Sequence, residues 1–137
     1  MKGPFDGGCL CNEIRYHCDA EPKTIYYCHC SDCRRISGTA FYTGVGVSKE
    51  GFSLTSGTVR QWHKKADSGK GVTRSFCPVC SASIYLQLEM FPDTIFIAAG
   101  SLDDPSALKP NLELWTQSKV DWAEIPEGIM SMEKAAG

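Results

Sequence analysis

Cys28-His29-Cys30-Ser31-Asp32-Cys33 decides the fold when it is set beside Cys9-Leu10-Cys11 before it and Cys77-Pro78-Val79-Cys80 after it. Seven of the eight cysteines fall into these three groups. Taken together, the outer groups offer four thiolates and the middle group offers three. Four thiolates close a tetrahedral zinc, whereas three leave one position open. The count predicts one structural metal and one metal able to do chemistry. A CxxC turn lets two thiolates converge on one ion, and a second pair from a distant segment completes the tetrahedron. Pro78 stiffens the later turn. The plainer reading is buried free cysteines at incidental spacing, but two close pairs in a reducing compartment favour zinc.

The middle group reads differently. If the chain is extended through 26–30, Cys28 and Cys30 share a face, His29 points to the other, and Cys33 returns on the following turn. An open zinc holds a thiolate or polarises a carbonyl. The competing reading is a second closed site with Cys18, His17, His29 or His63 as fourth ligand. Cys18 ends an alternating strand and is expected as a small buried hydrophobe. His29 is expected outside the ligand set, in a supporting or solvent-exposed place, and His17 and His63 on strand surfaces. Arg34 and Arg35 follow Cys33 directly. Either they bind a substrate carboxylate and damp the thiolate charge, or they are a solvated pair on a short helix.

The rest of the chain is consistent with a β-rich domain. Its 137 residues fit one domain over 1–137, with a tail from about 123 that is loosely held over 131–137. Runs rich in β-branched and aromatic residues at 13–18, 24–28, 40–47, 52–54, 59–63, 73–76, 83–89 and 94–99 alternate with glycine turns, which predicts a sandwich or barrel-like architecture. Ile14, Tyr16 and Cys18 share one strand face, as do Ile84, Leu86 and Leu88. The segment 31–36 predicts the one helix, with Ser31 as N-cap and Asp32 in its first turn. The segment 64–72 reads as an exposed loop. Phe41, Tyr42, Trp62, Phe76 and Trp115 are expected in the core.

Net charge is −2, from 14 basic and 16 acidic residues. That argues against a nucleic-acid partner. No apolar run approaches the length of a membrane span, and no secretory signal precedes the first cysteines. The expected location is cytoplasmic.

The elements Gly8-Cys9-x-Cys11, Cys28-His29-Cys30-x-x-Cys33-Arg34 with Gly38 after it, and Phe76-Cys77-x-x-Cys80 resemble the glutathione-dependent formaldehyde-activating enzyme family, which takes in the centromere protein V-like domains. Gly100-x-Leu102-Asp103-Asp104-Pro105, Ser118-Lys119 and Trp122 add a weaker match, so the resemblance spans roughly 7–122. It implies a mainly β, Mss4-like (β-tent) zinc-binding fold of short antiparallel strands with few short helices. It implies two zinc ions per chain, a structural one at Cys9, Cys11, Cys77 and Cys80 and a catalytic one at Cys28, Cys30 and Cys33. The implied activity is that of a carbon–sulfur lyase, joining formaldehyde to glutathione or releasing it. Asn12 and Ser81 stand where this pattern commonly has glycine, and the histidine often found after the Asp-Asp-Pro stretch has no counterpart near 112–115. The expected function is zinc-dependent chemistry on a small thiol–carbonyl adduct, with Arg34 or Arg35 orienting a carboxylate of the thiol. The alternative is a non-catalytic zinc-binding module for protein interaction.

Overall fold

Most of the short runs rich in β-branched and aromatic residues become strands. A computed structural model describes residues 2–135. Among them the strands are Phe5–Gly8 (β1), Arg15–Cys18 (β2), Thr24–Cys28 (β3), Tyr42–Ser48 (β4), Phe52–Ser56 (β5), Arg60–Lys65 (β6), Gly71–Phe76 (β7), Ser83–Leu88 (β8), Thr94–Ala98 (β9), Leu112–Leu114 (β10) and Met130–Ser131 (β11). The α-helix is Ser31–Ser37 (α1). No helix among the described residues is long and apolar enough to cross a membrane.

The strands form two sheets. A three-stranded sheet runs β1-β2-β5, and an eight-stranded sheet runs β11-β10-β3-β4-β9-β8-β7-β6. Pairing is antiparallel except at one end of the large sheet, where β10 runs parallel to both β3 and β11. β9 shows how period-2 alternation divides the core. Ile95 and Ile97 join a cluster with Ile14, Tyr16, Cys18, Val45 and Val47, which ties the small sheet to the large one. Phe96 and Ala98 join a second cluster with Tyr26, Cys28, Cys33, Tyr42, Val72 and Leu86. That second cluster carries the middle cysteines.

Several expectations change. Ile84 leaves the face of Leu86 and packs into the first cluster. It is the extra residue where the β7–β8 register slips between Ser75 and Phe76, and such a bulge re-aims a side chain. The loop expected over 64–72 is shorter, because Lys65 pairs with Gly71 and Lys64 with Val72. β6 is an edge strand exposed along its whole length, so its charged residues show no buried face to read. Trp62 lies on it and is 52% exposed instead of in the core. α1 begins one residue earlier than expected in capping terms: Cys30, not Ser31, is the N-cap, its sulfur accepting the Cys33 N–H at 3.3 Å. The helix ends at Gly38, whose φ of 72° suits a left-handed cap. The tail is held through 134. Met130–Ser131 adds a strand, and the 132–134 backbone bonds to that of Glu113, Trp115, Thr116 and Gln117. Ala136 and Gly137, the end of the expected loose tail, lie outside the described residues.

Candidate metal centres

The turn after β1 brings Cys9 and Cys11 against Cys77 and Cys80 from the turn after β7. The four sulfurs lie within 4.8 Å of one another. Zinc–sulfur bonds of about 2.3 Å in a tetrahedron place sulfurs about 3.8 Å apart. The Cys9–Cys11 and Cys11–Cys77 separations are 3.6 and 3.7 Å, so the donor set fits a four-thiolate metal site. Backbone N–H groups also point at the sulfurs. Ile14 donates to Cys9 at 3.2 Å, and Val79 and Cys80 donate to Cys77 at 3.3 and 3.4 Å. Such bonds favour the thiolate form. Those from Ala82 and Cys11 bring the Cys80 thiol down to about 6.

The two cysteine turns are built alike. Cys9 N–H bonds the Ile14 carbonyl and Cys77 N–H bonds the Ala82 carbonyl, each five residues on. The residues after the second cysteines, Asn12 and Ser81, both sit at φ 67°. That is the left-handed region, and it gives the physical reason for glycine at these places in the family pattern. A left-handed L-residue costs about 1–2 kcal/mol, partly offset by glycine's larger unfolded-state entropy. Ser81→Gly is therefore expected to stabilise the chain by about 0.5–1 kcal/mol, a rise of a few degrees in thermal midpoint. An unchanged or lower midpoint would contradict this account of the turn.

The second group is assembled from β3 and α1. Cys28 closes the strand, Cys30 caps the helix, and Cys33 is the buried residue of the helix's first turn. Their sulfurs also lie within 4.8 Å of one another. Hydrogen bonds from Cys28 and Cys33, helped by the N–H groups of Cys33 and Asp32, hold Cys30 well below the ordinary thiol range. Its neighbours rise in turn: Cys28 reaches about 12, and Cys33 lies above the thiol range. The trio thus shares one negative charge readily and resists more unless a cation joins it.

A cation is already nearby. Arg74 on β7 is only 9% exposed, and its Nη2 lies 3.9 Å from the Cys33 sulfur. Its Nε is buried without a partner. The three cysteines and Arg74 line a cavity of about 300 Å³ whose walls are largely apolar, with Leu86, Leu88, Phe96, Leu112, Leu114 and Trp115 among them. Trp115, expected in the core, is therefore a wall residue.

The other proposed fourth ligands do not join the trio. Cys18 is fully buried between the sheets, as expected of a small hydrophobe, with its sulfur facing the Ala20 carbonyl at 3.6 Å. His17 bonds Asp6 and Asp19 at 2.7 and 2.8 Å, and His63 bonds Thr73 at 2.9 Å, both on strand surfaces. His29 is fully buried, which removes the solvent-exposed alternative. It turns away from the cysteines' side to pack on Phe41, and its Nε2 bonds Glu113 at 2.9 Å. Glu113 accepts Ser131 Oγ at 2.7 Å through its other oxygen, linking the residue that follows β3 to β10 and β11.

Arg34 and Arg35 stand in the last turn of α1, half-buried and exposed respectively, and neither is among the residues lining the cavity. The guanidinium at the trio is Arg74, which sequence reasoning missed. Its one signal was an arginine two residues after Val72 in a strand-forming run, on the face that Val72 buries. Glu113 was missed as well, a lone charge between two leucines. The 100–105 stretch serves the scaffold: Asp103 pairs with Arg15 at 2.8 Å, and Ser101 meets the Tyr16 hydroxyl at 2.7 Å.

Comparison with known proteins agrees with this geometry. The family profile described as glutathione-dependent formaldehyde-activating enzyme matches residues 4–118. Among curated proteins no relative matches. A crystal structure of a Rhodobacter sphaeroides protein is similar in fold, with a TM-score of 0.60 and 16% identity over 77% of this chain and 91% of that one. The mainly β, Mss4-like architecture and the two cysteine clusters are those the resemblance implied. The profile covers most of the chain and every one of the seven clustered cysteines, and the chain belongs to the glutathione-dependent formaldehyde-activating enzyme family.

Proposed function

We propose that this chain is a zinc-dependent enzyme of the carbon–sulfur lyase type, making or breaking the adduct of a small thiol and a carbonyl compound. Cys9, Cys11, Cys77 and Cys80 hold a structural zinc, and Cys28, Cys30 and Cys33 hold a catalytic one. The observation that carries the reading is that the second group has three sulfurs, not four, and that a cavity opens on them. A zinc ion held there supplies an open position for sulfur and Lewis acidity toward a carbonyl.

The chain's own groups do the rest. The cysteine trio fixes where the substrate sulfur sits, and Arg74 offsets the excess negative charge of three thiolates. The apolar walls keep water from the reacting atoms, which strengthens each electrostatic contact inside. In the joining direction the thiol sulfur bonds the carbonyl carbon, the carbonyl π pair moves to oxygen, and that oxygen takes the proton the thiol gives up. In the reverse direction the C–S bond breaks and the carbonyl reforms. No electron acceptor is needed.

Glutathione and formaldehyde, the pair in the family's name, are the first substrates to test. Arg34 and Arg35 lie outside the walls, so their role is confined to a carboxylate reaching beyond the mouth. Eight free cysteines among the described residues suit a reducing location such as the cytoplasm. A non-catalytic interaction module has no use for a cavity ending on three thiols. The test is the rate of S-hydroxymethylglutathione formation from glutathione and formaldehyde, followed by NMR exchange spectroscopy. The zinc-loaded protein is expected to raise it and Cys33→Ser to return it to the uncatalysed rate. Equal rates with both, for this pair and for simple thiols, would leave the interaction module as the better reading.

A further inference from the structure

The walls above the three cysteines are unlike those a tripeptide thiol needs. Leu86 and Phe96 are buried, and Leu88, Leu112, Leu114 and Trp115 are half-buried around the same space. The charged side chains lining it are Arg74 beside Cys33, Asp32, tied to Lys64 at 2.7 Å, and Lys23 and Lys70, both exposed. The wall strands have committed their backbone groups to ladder bonds: Leu86 pairs with Phe96 and Arg74, and Leu114 with Cys28. Glutathione carries amide groups on both sides of its thiol-bearing residue. Seated with its sulfur at the trio, it would bring those amides against a lining that is mostly leucine and aromatic side chains, with Thr24, Tyr26, Ser68 and Thr94 as its uncharged polar residues. Buried amides without partners are costly. An apolar group next to the sulfur gains by burial in the same place.

Resting on the thiol-binding reading above, we infer that the preferred substrate of the Cys28/Cys30/Cys33 site carries an apolar substituent beside the reacting C–S bond, on the thiol or on the carbonyl carbon. Any charged end of that substrate lies at the mouth with Lys23 and Lys70. At about 300 Å³ the cavity is at the small end of ligand sites, which suits a short alkyl or a single aromatic group.

A cobalt(II)-substituted protein tests this through its sulfur-to-metal charge-transfer band. In one arm the band is titrated with ethanethiol, butanethiol, hexanethiol and glutathione. In the other, glutathione is titrated with formaldehyde, with butanal and with hexanal present. Affinity is expected to rise roughly fourfold per added methylene in at least one arm, and the arm that rises tells which half bears the apolar group. Leu88→Gln is expected to compress the ratio of hexanethiol to ethanethiol affinity. Equal affinity across both series, or glutathione alone binding tighter than hexanethiol with neither series rising, overturns the inference and leaves the thiol-binding reading standing. No change in the band with any thiol overturns both.

Discussion

Cys77→Ser is expected to leave the chain without a cooperative fold, while Cys33→Ser keeps one. Cys77 is fully buried and belongs to the four-sulfur group that joins the turn after β1 to the turn after β7. Structural zinc contributes about 10–16 kcal/mol in small metal-stabilised folds, against total stabilities of about 5–15 kcal/mol. Weakening that site removes a term as large as the whole balance. Cys33 sits in the first turn of α1 and is a small member of the second cluster, whose larger members include Tyr26, Tyr42, Leu86 and Phe96. Far-UV circular dichroism with thermal melting separates the two variants. A Cys77→Ser protein melting within a few degrees of the parent, or a Cys33→Ser protein collapsing equally, would undo the division into a structural and a reactive site.

The second large effect concerns Arg74. With a divalent cation bound, three thiolates would carry a net charge of about −1, which the buried guanidinium 3.9 Å from Cys33 would offset. Groups that support metal ligands in this way commonly change affinity by about 10–100-fold when replaced. Arg74→Gln is expected to weaken metal binding at the trio by that factor and leave the four-sulfur site unchanged, as read by competition with a chromophoric chelator. Arg74→Lys keeps the charge and should recover part of the loss. Arg34→Ala and Arg35→Ala should leave metal affinity near the parent's, because neither residue lines the cavity. Equal affinities for Arg74→Gln and the parent would remove the charge-balancing role.

What could be read in advance was local. The seven cysteines are legible because CxC and CxxC spacing brings sulfurs together within one turn, whatever surrounds them. Ile14, Tyr16 and Cys18 are legible because period-2 alternation runs through β2 and the residue before it, and all three are buried together. Ile84 breaks that rule because a bulge inserts a residue that the strand's own sequence does not announce. β10 and β11 contain three and two residues, too few to show any period, and β10 is placed by parallel pairing with β3 far back in the chain. The same pairing sets Glu113 opposite Tyr27 and within reach of His29. Arg74 belongs to this group too: its partner Cys33 lies across the fold, and an arginine inside a strand reads as surface until its neighbours are known. Arg34 and Arg35 adjoin Cys33 in sequence, but a helix turns successive side chains about 100° apart, and Cys33 is the one buried residue of α1.

Zinc K-edge X-ray absorption on protein loaded with zinc to saturation, before and after adding a small thiol, tests the proposed open three-sulfur site most directly. One site of four sulfurs and one of three average to about 3.5 sulfurs per zinc. Filling the open position with a thiolate should bring the average to about 4.0, and Cys33→Ser should start lower. An average of 4.0 before any thiol is added, or one of 3.5 that no thiol changes, would contradict the account.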